Sequence, residues 1–124
     1  MIAEKASESI EQAVVYELQN IVKNYGAVYA SEHEGYAVLL EEVEEAKECL
    51  QIAEEKLKDL WKSVRKNVYA DDTLWKIKVA AINMAQEAVQ VAAVCERFEE
   101  TTKNKHKVHI SGINQNIHGV ADRI

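Results

Sequence analysis

Six glutamates fall within fifteen residues of this chain: Glu34, Glu41, Glu42, Glu44, Glu45 and Glu48. Glu41, Glu42 and Glu45 form the pattern E-E-x-x-E, in which carboxylates three or four residues apart share one face of a helix. Further along, Glu87 stands beside an apolar stripe between Met84 and Val91, with Gln90 one turn on. Carboxylates brought together at a partly buried seam repel one another and lose hydration, and a hard divalent cation relieves both costs. All-oxygen ligands suit magnesium or manganese. Glu42, Glu45, Glu87 and Gln90 are therefore the candidate metal ligands, on two helices whose apolar stripes would bring them together. The competing reading is a solvated helix face, balanced by Lys47 and Lys58, on which such a pattern is ordinary.

Other side chains with chemistry to offer are fewer. His33 lies in the first turn of the same helix beside Glu34, where it either caps and packs or contacts a base or phosphate. Lys23 and Arg97, with Lys62, Arg65 and Lys66, are the basic residues that could meet a phosphate, set against a plain surface role. Trp61 and Trp75 could stack on a nucleobase, although aromatic residues at helical spacing more often belong to a core. His106, His109 and His118 share no metal-binding spacing with a cysteine or a carboxylate pair. The sequence holds no Gly-rich phosphate loop, no nucleophile elbow and no Cys-x-x-Cys pair. Cys49 and Cys95, inside helical patterns, read as reduced and buried thiols.

The elements that must position these residues are helices. There is no proline, there are four glycines, and 48% of the residues are apolar, a balance that favours helix over sheet. At 124 residues the chain makes one domain with one core. A net charge of −6 argues against a nucleic-acid polymer or an anionic membrane as partner. Neither a signal peptide nor an apolar stretch of about 20 residues is present, so a cytoplasmic protein is expected. Ile10, Val14, Leu18, Ile21 and Tyr25 mark one face of a first helix over residues 4–25, ended by Gly26. A second helix opens at Ser31, with Glu34 completing a capping box, and has no breaker until about Asn67. Its stripe of Leu39, Val43, Ala46, Leu50, Leu57 and Trp61 is expected to be buried. Such a helix, over 50 Å long at about 1.5 Å per residue, outruns a monomeric bundle of this size, so either it bends or breaks near residues 51–62 or, the favoured reading, a partner subunit packs along it.

Asp71 or Asp72 should cap a third helix, about 73–101. Ile77, Ala80, Ala81, Met84, Ala88, Val91, Cys95 and Phe98 line one broad side of it, while Val79, Ile82, Val89, Ala93 and Val94 point elsewhere. A helix apolar nearly all round is covered on several sides, again by an oligomer. Residues 102–124 form a weakly specified tail that opens with a basic run. The expected architecture is all-α: an antiparallel helical bundle with long helices, completed by oligomerisation, over residues 1–101.

The segment Gly35-Tyr36-Ala37-Val38-Leu39-Leu40-Glu41-Glu42-Val43-Glu44-Glu45 resembles the phage-associated branch of the MazG-like family. It is preceded by Lys23-Asn24-Tyr25-Gly26 and by Ser31-Glu32-His33-Glu34, which share the resemblance. So does Glu87-Ala88-Val89-Gln90-Val91-Ala92-Ala93, followed by Arg97-Phe98. The similarity covers roughly residues 10–100, and its more specific part is His-Glu-Gly-Tyr-Ala-Val ahead of the paired glutamates. MazG-like proteins are all-α nucleoside triphosphate pyrophosphohydrolases whose motif is E-E-x-x-E followed by E-x-x-D. The resemblance implies a homodimer or homotetramer that holds magnesium, or manganese, on those acidic residues. It implies cleavage of an NTP or dNTP between its α- and β-phosphates, giving the monophosphate and pyrophosphate. Glu41, Glu42 and Glu45 match the first motif, and Glu87 matches the first residue of the second. Glu41 or Glu45 would orient or deprotonate the attacking water, and His33, Lys23 and Arg97 are the expected substrate contacts.

Two features depart from the family pattern. Gln90 stands where the second motif has its aspartate, which removes one charge from the metal site. The 41 residues between Glu45 and Glu87 also make a longer spacer than the family's usual one. A non-catalytic helical oligomer that kept the bundle and lost the chemistry is the alternative Gln90 permits. A coiled-coil adaptor, its glutamates merely solubilising the second helix, is a third.

Overall fold

The computed structural model describes residues 1–107. Three helices follow in order, α1 (Glu4–Tyr25), α2 (Glu32–Arg65) and α3 (Asp71–Lys107), and no strand occurs among the described residues. The described residues are all-α, and α2 runs unbroken for 34 residues, roughly 50 Å at 1.5 Å per residue. α3 continues to Lys107 instead of ending near residue 101, so the first residues assigned to the tail are helical. The rest of that tail, 108–124, including His109 and His118, lies outside the described residues.

Local chemistry accounts for the helix ends. Gly26 closes α1 at φ 92°, a left-handed conformation that costs glycine nothing, and its N–H donates to the Val22 carbonyl at 2.8 Å. Ser31 Oγ accepts from the Glu34 N–H at 3.1 Å, and Glu34 Oε1 accepts from the Ala30 N–H at 3.4 Å. The expected capping box is thus formed, with its return bond one residue earlier than usual. α2 ends through Asn67, at φ 53°, with Val68 N–H donating to Ser63 O and Asn67 N–H to Val64 O. That is a Schellman closure, and asparagine is the residue after glycine that best tolerates it. Asp71 is the first residue of α3, not its cap.

Two compact units divide the chain: Met1–Leu40 together with α3 from Val89 onward, and Glu41–Ala88. In the first, Val14, Leu18 and Ile21 of α1 pack with the fully buried Ala93, and Val22, Val89 and Ala92 close the cluster. Burial follows that α3 backing, so Ile10 and Tyr25, which share the stripe's spacing, stay exposed. Ala93 and Val94, expected to point away from the main stripe of α3, are instead its most buried residues. Gly35 lets α2 lie flush against two rings. A Cβ there would sit 3.0 Å from Phe98 Cδ2 and 3.1 Å from Tyr29 Cδ2, closer than a core tolerates without shifting.

The second unit is a hairpin of α2 and α3, and its packing is thin. Ala80 is its one buried residue; Ala46, Cys49, Ala53 and Leu60 of α2 and Ile77 and Met84 of α3 are half-buried. The expected buried stripe of α2 is corrected here. Val43, Leu50, Leu57 and Trp61 are exposed, because the side turned to α3 lies roughly a quarter-turn round the helix from them. Small side chains on that inward side let the two backbones approach.

Candidate metal centre

Glu42 and Glu45 stand three residues apart on the inward side of α2, among Ala46 and Cys49, and Glu87 stands on α3 one turn beyond Met84. All three are half-buried, and one carboxylate oxygen from each lies within 4.8 Å of the other two. The hairpin therefore brings together three of the four metal ligands expected from spacing. Glu41 is exposed and outside the cluster, as are Glu44 and Glu48. Gln90 is half-buried in α3, in the part that belongs to the other unit.

The donor set fits a hard divalent cation. At Mg–O distances of about 2.0–2.1 Å, ligands on adjacent octahedral positions lie about 2.9 Å apart and opposite ones about 4.1 Å. Oxygens no more than 4.8 Å apart reach such positions by small rotations of flexible glutamate side chains. Three carboxylates leave further positions for water or phosphate oxygens, as magnesium prefers. The charge, the hardness of the donors and their reach agree.

The expected substrate contacts fare differently. His33 is exposed and lines a pocket of about 430 Å³ in the first unit, along with Tyr29, Ser31, Glu32, Thr101 and Lys105. On its rim Lys105 Nζ lies 2.7 Å from Glu32 Oε1 and His106 Nε2 lies 3.6 Å away. The hydrogen bond from Lys105 is the main reason the Glu32 carboxyl is held below its ordinary range. Lys23 is exposed in the last turn of α1. Arg97 is not placed to receive a phosphate. It is buried, and its Nε donates to Gly26 O at 3.0 Å while Nη2 donates to Tyr25 O at 2.9 Å and Val28 O at 3.2 Å. Its guanidinium also stacks on the Tyr29 ring, 4.0 Å from the centroid. One turn on, buried Thr101 accepts from the Tyr29 N–H and donates to the Arg97 carbonyl, both at 2.9 Å. Together they fasten the α1–α2 connector to α3.

Trp61 and Trp75 are exposed instead of forming core, and Arg65 lies over the Trp61 ring at 5.8 Å. Cys49 is half-buried and Cys95 exposed, both free, so only the first fits the expectation of a buried thiol. Partial desolvation, then the nearby Glu99 and Glu96 charges, push the Cys95 thiol up. No helix of the described residues is long and apolar enough to cross a membrane. No family model, no curated protein and no solved structure matches this chain.

Proposed function

We propose that this chain is a divalent-cation-dependent nucleoside triphosphate pyrophosphohydrolase, working as a homodimer or homotetramer. The observation that carries the reading is the meeting of Glu42, Glu45 and Glu87, whose oxygens lie within 4.8 Å of one another although Glu45 and Glu87 are 42 positions apart. The triad supports a cation site; the choice of reaction comes from the MazG-like resemblance of the segments that carry it.

In this reading Glu42, Glu45 and Glu87 would hold magnesium or manganese from two helices. When bound, the cation neutralises triphosphate oxygens and makes water more acidic. Glu45, in the same cluster, orients the attacking water and takes its proton. Glu41 is the second candidate for that task, a carboxylate on the same turn that the triad leaves uncommitted. His33 and Lys23 remain as proposed substrate contacts, and Arg97 becomes a positioning residue for the connector that carries the start of α2.

Pyrophosphate release from a panel of NTPs and dNTPs tests the proposal. Release should require magnesium or manganese, stop with EDTA, and fall by about 10² or more in Glu45→Gln and Glu87→Gln. A non-catalytic cation-binding protein is the second reading, favoured by neutral Gln90 and by the engagement of Arg97 elsewhere. Silence across the panel, with magnesium still raising the Tm, would select it.

A further inference from the structure

α2 carries an apolar line that nothing among the described residues covers. Val43, Leu50, Leu57 and Val64 recur every seven residues, and Trp61 occupies the intervening seam position between the last two. These five side chains are 44–59% exposed. At 100° per residue they fall within roughly 60° of one another, about 90° round the helix from the inward-facing Cys49, Ala53 and Leu60. A strict seven-residue repeat is the pattern of a helix packed along a second helix. The unit that bears it (41–88) buries only Ala80, so most of its apolar side chains stay within reach of a partner.

Charge identifies the occupant and its direction. Residues 41–48 hold five glutamates and one lysine, a net −4, whereas residues 56–66 hold five basic residues and Asp59, a net +4. The two other seam positions, Lys47 and Glu54, are opposite in sign. Two copies packed parallel would set acidic half on acidic half and Lys47 on Lys47. Packed antiparallel about a point near residue 51, each acidic half lies on a basic half. Lys47 then comes within one turn of the partner's Glu54, and Glu44 within one turn of the partner's Lys58.

We infer that a second copy of this chain packs antiparallel along the Val43–Val64 seam of α2, with the two-fold axis near Leu50. The seam is independent of the carboxylate triad, which faces α3, and of whether the chain hydrolyses anything. Sedimentation velocity of the full chain over a concentration series tests it. The expected result is self-association of the wild type, reduced to monomer in Leu50→Glu with helical circular dichroism retained. Lys47→Glu and Glu54→Lys, both on exposed positions, should each weaken association about tenfold at low salt, and the double swap should restore it. A parallel dimer would not respond to the single reversals, since like faces like before and after. The inference is overturned by a wild type that stays monomeric at every concentration, or by an assembly indifferent to both reversals.

Discussion

The carboxylate triad makes a prediction with an unusual sign: removing one of its charges should stabilise the metal-free protein. Three carboxylates with oxygens within 4.8 Å repel whenever no cation lies among them. One pair of unit charges at that distance costs ~0.9 kcal/mol in water and ~3.5 kcal/mol at an effective dielectric constant of about 20. The side chains are half-buried and can rotate apart, which draws the value towards the lower figure. Glu45→Gln removes two such pairs while keeping the shape, so without metal it should exceed wild type by about 1–2 kcal/mol. For a chain of this length that is roughly 4–8 °C in Tm. Magnesium should reverse the order. Wild type gains about 1.4 kcal/mol at ten times its Kd and about 2.7 kcal/mol at a hundred times, whereas the variant, one ligand short, gains little. Scanning calorimetry in EDTA and then in magnesium at matched ionic strength reads both signs. A variant less stable than wild type in EDTA, with an equal response to magnesium, would show three independently solvated glutamates and refute the reasoning.

Three further outcomes follow from the first unit. Arg97→Met removes three charge-assisted hydrogen bonds to the connector and leaves Tyr25, Gly26 and Val28 without them; a loss of about 2–4 kcal/mol in urea unfolding is expected, and Arg97→Lys should not rescue it because one ammonium cannot reproduce the fork. Gly35→Ala should cost about 1–3 kcal/mol by driving a methyl against Phe98 and Tyr29, and pairing it with Phe98→Leu should recover part of that loss. The raised thiol of Cys95 means less thiolate than a free cysteine at pH 8, so iodoacetamide should modify it several-fold more slowly than an unstructured peptide, the gap closing as pH rises through the thiol's value; equal rates at pH 8 would contradict the shift.

What could be read from the sequence was local. The bounds of α1, its stop at Gly26 and the Ser31–Glu34 cap all depend on residues within one turn of each other, and each is found. The pairing of Glu42 and Glu45 with Glu87 could also be anticipated, because facing helices and a repeat near 3.6 suffice to bring them together. Which side of α2 meets α3 could not. Periodicity shows that a stripe exists but names no partner for it, and the strongest stripe, Val43 to Trp61, lies outside while small Ala46, Cys49 and Ala53 turn inward. Small residues contribute little to a hydropathy pattern, yet they decide where backbones approach. The tie from Arg97 to the connector escapes the sequence for a related reason. Its partners are backbone carbonyls about seventy positions away, which side-chain types do not reveal. The available signal was an arginine set one turn before a threonine beside the closely packed Ala93 and Val94.

The glutamates of α2 therefore divide by direction, and that division makes the two proposals separable. Glu42 and Glu45 turn to α3, whereas Lys47 and Glu54 lie along the outward seam. Glu45→Gln should abolish the magnesium response and leave the sedimenting mass unchanged. Lys47→Glu should lower the mass at a given concentration and leave stabilisation by magnesium intact once stability is compared between monomers. If instead each substitution moved both readouts, the cation would have to lie in the interface between copies, shared by glutamates from two chains. An intramolecular triad and an independent seam would then both be wrong, for the same reason. The pair of variants, measured side by side, tests the direction in which each side chain points.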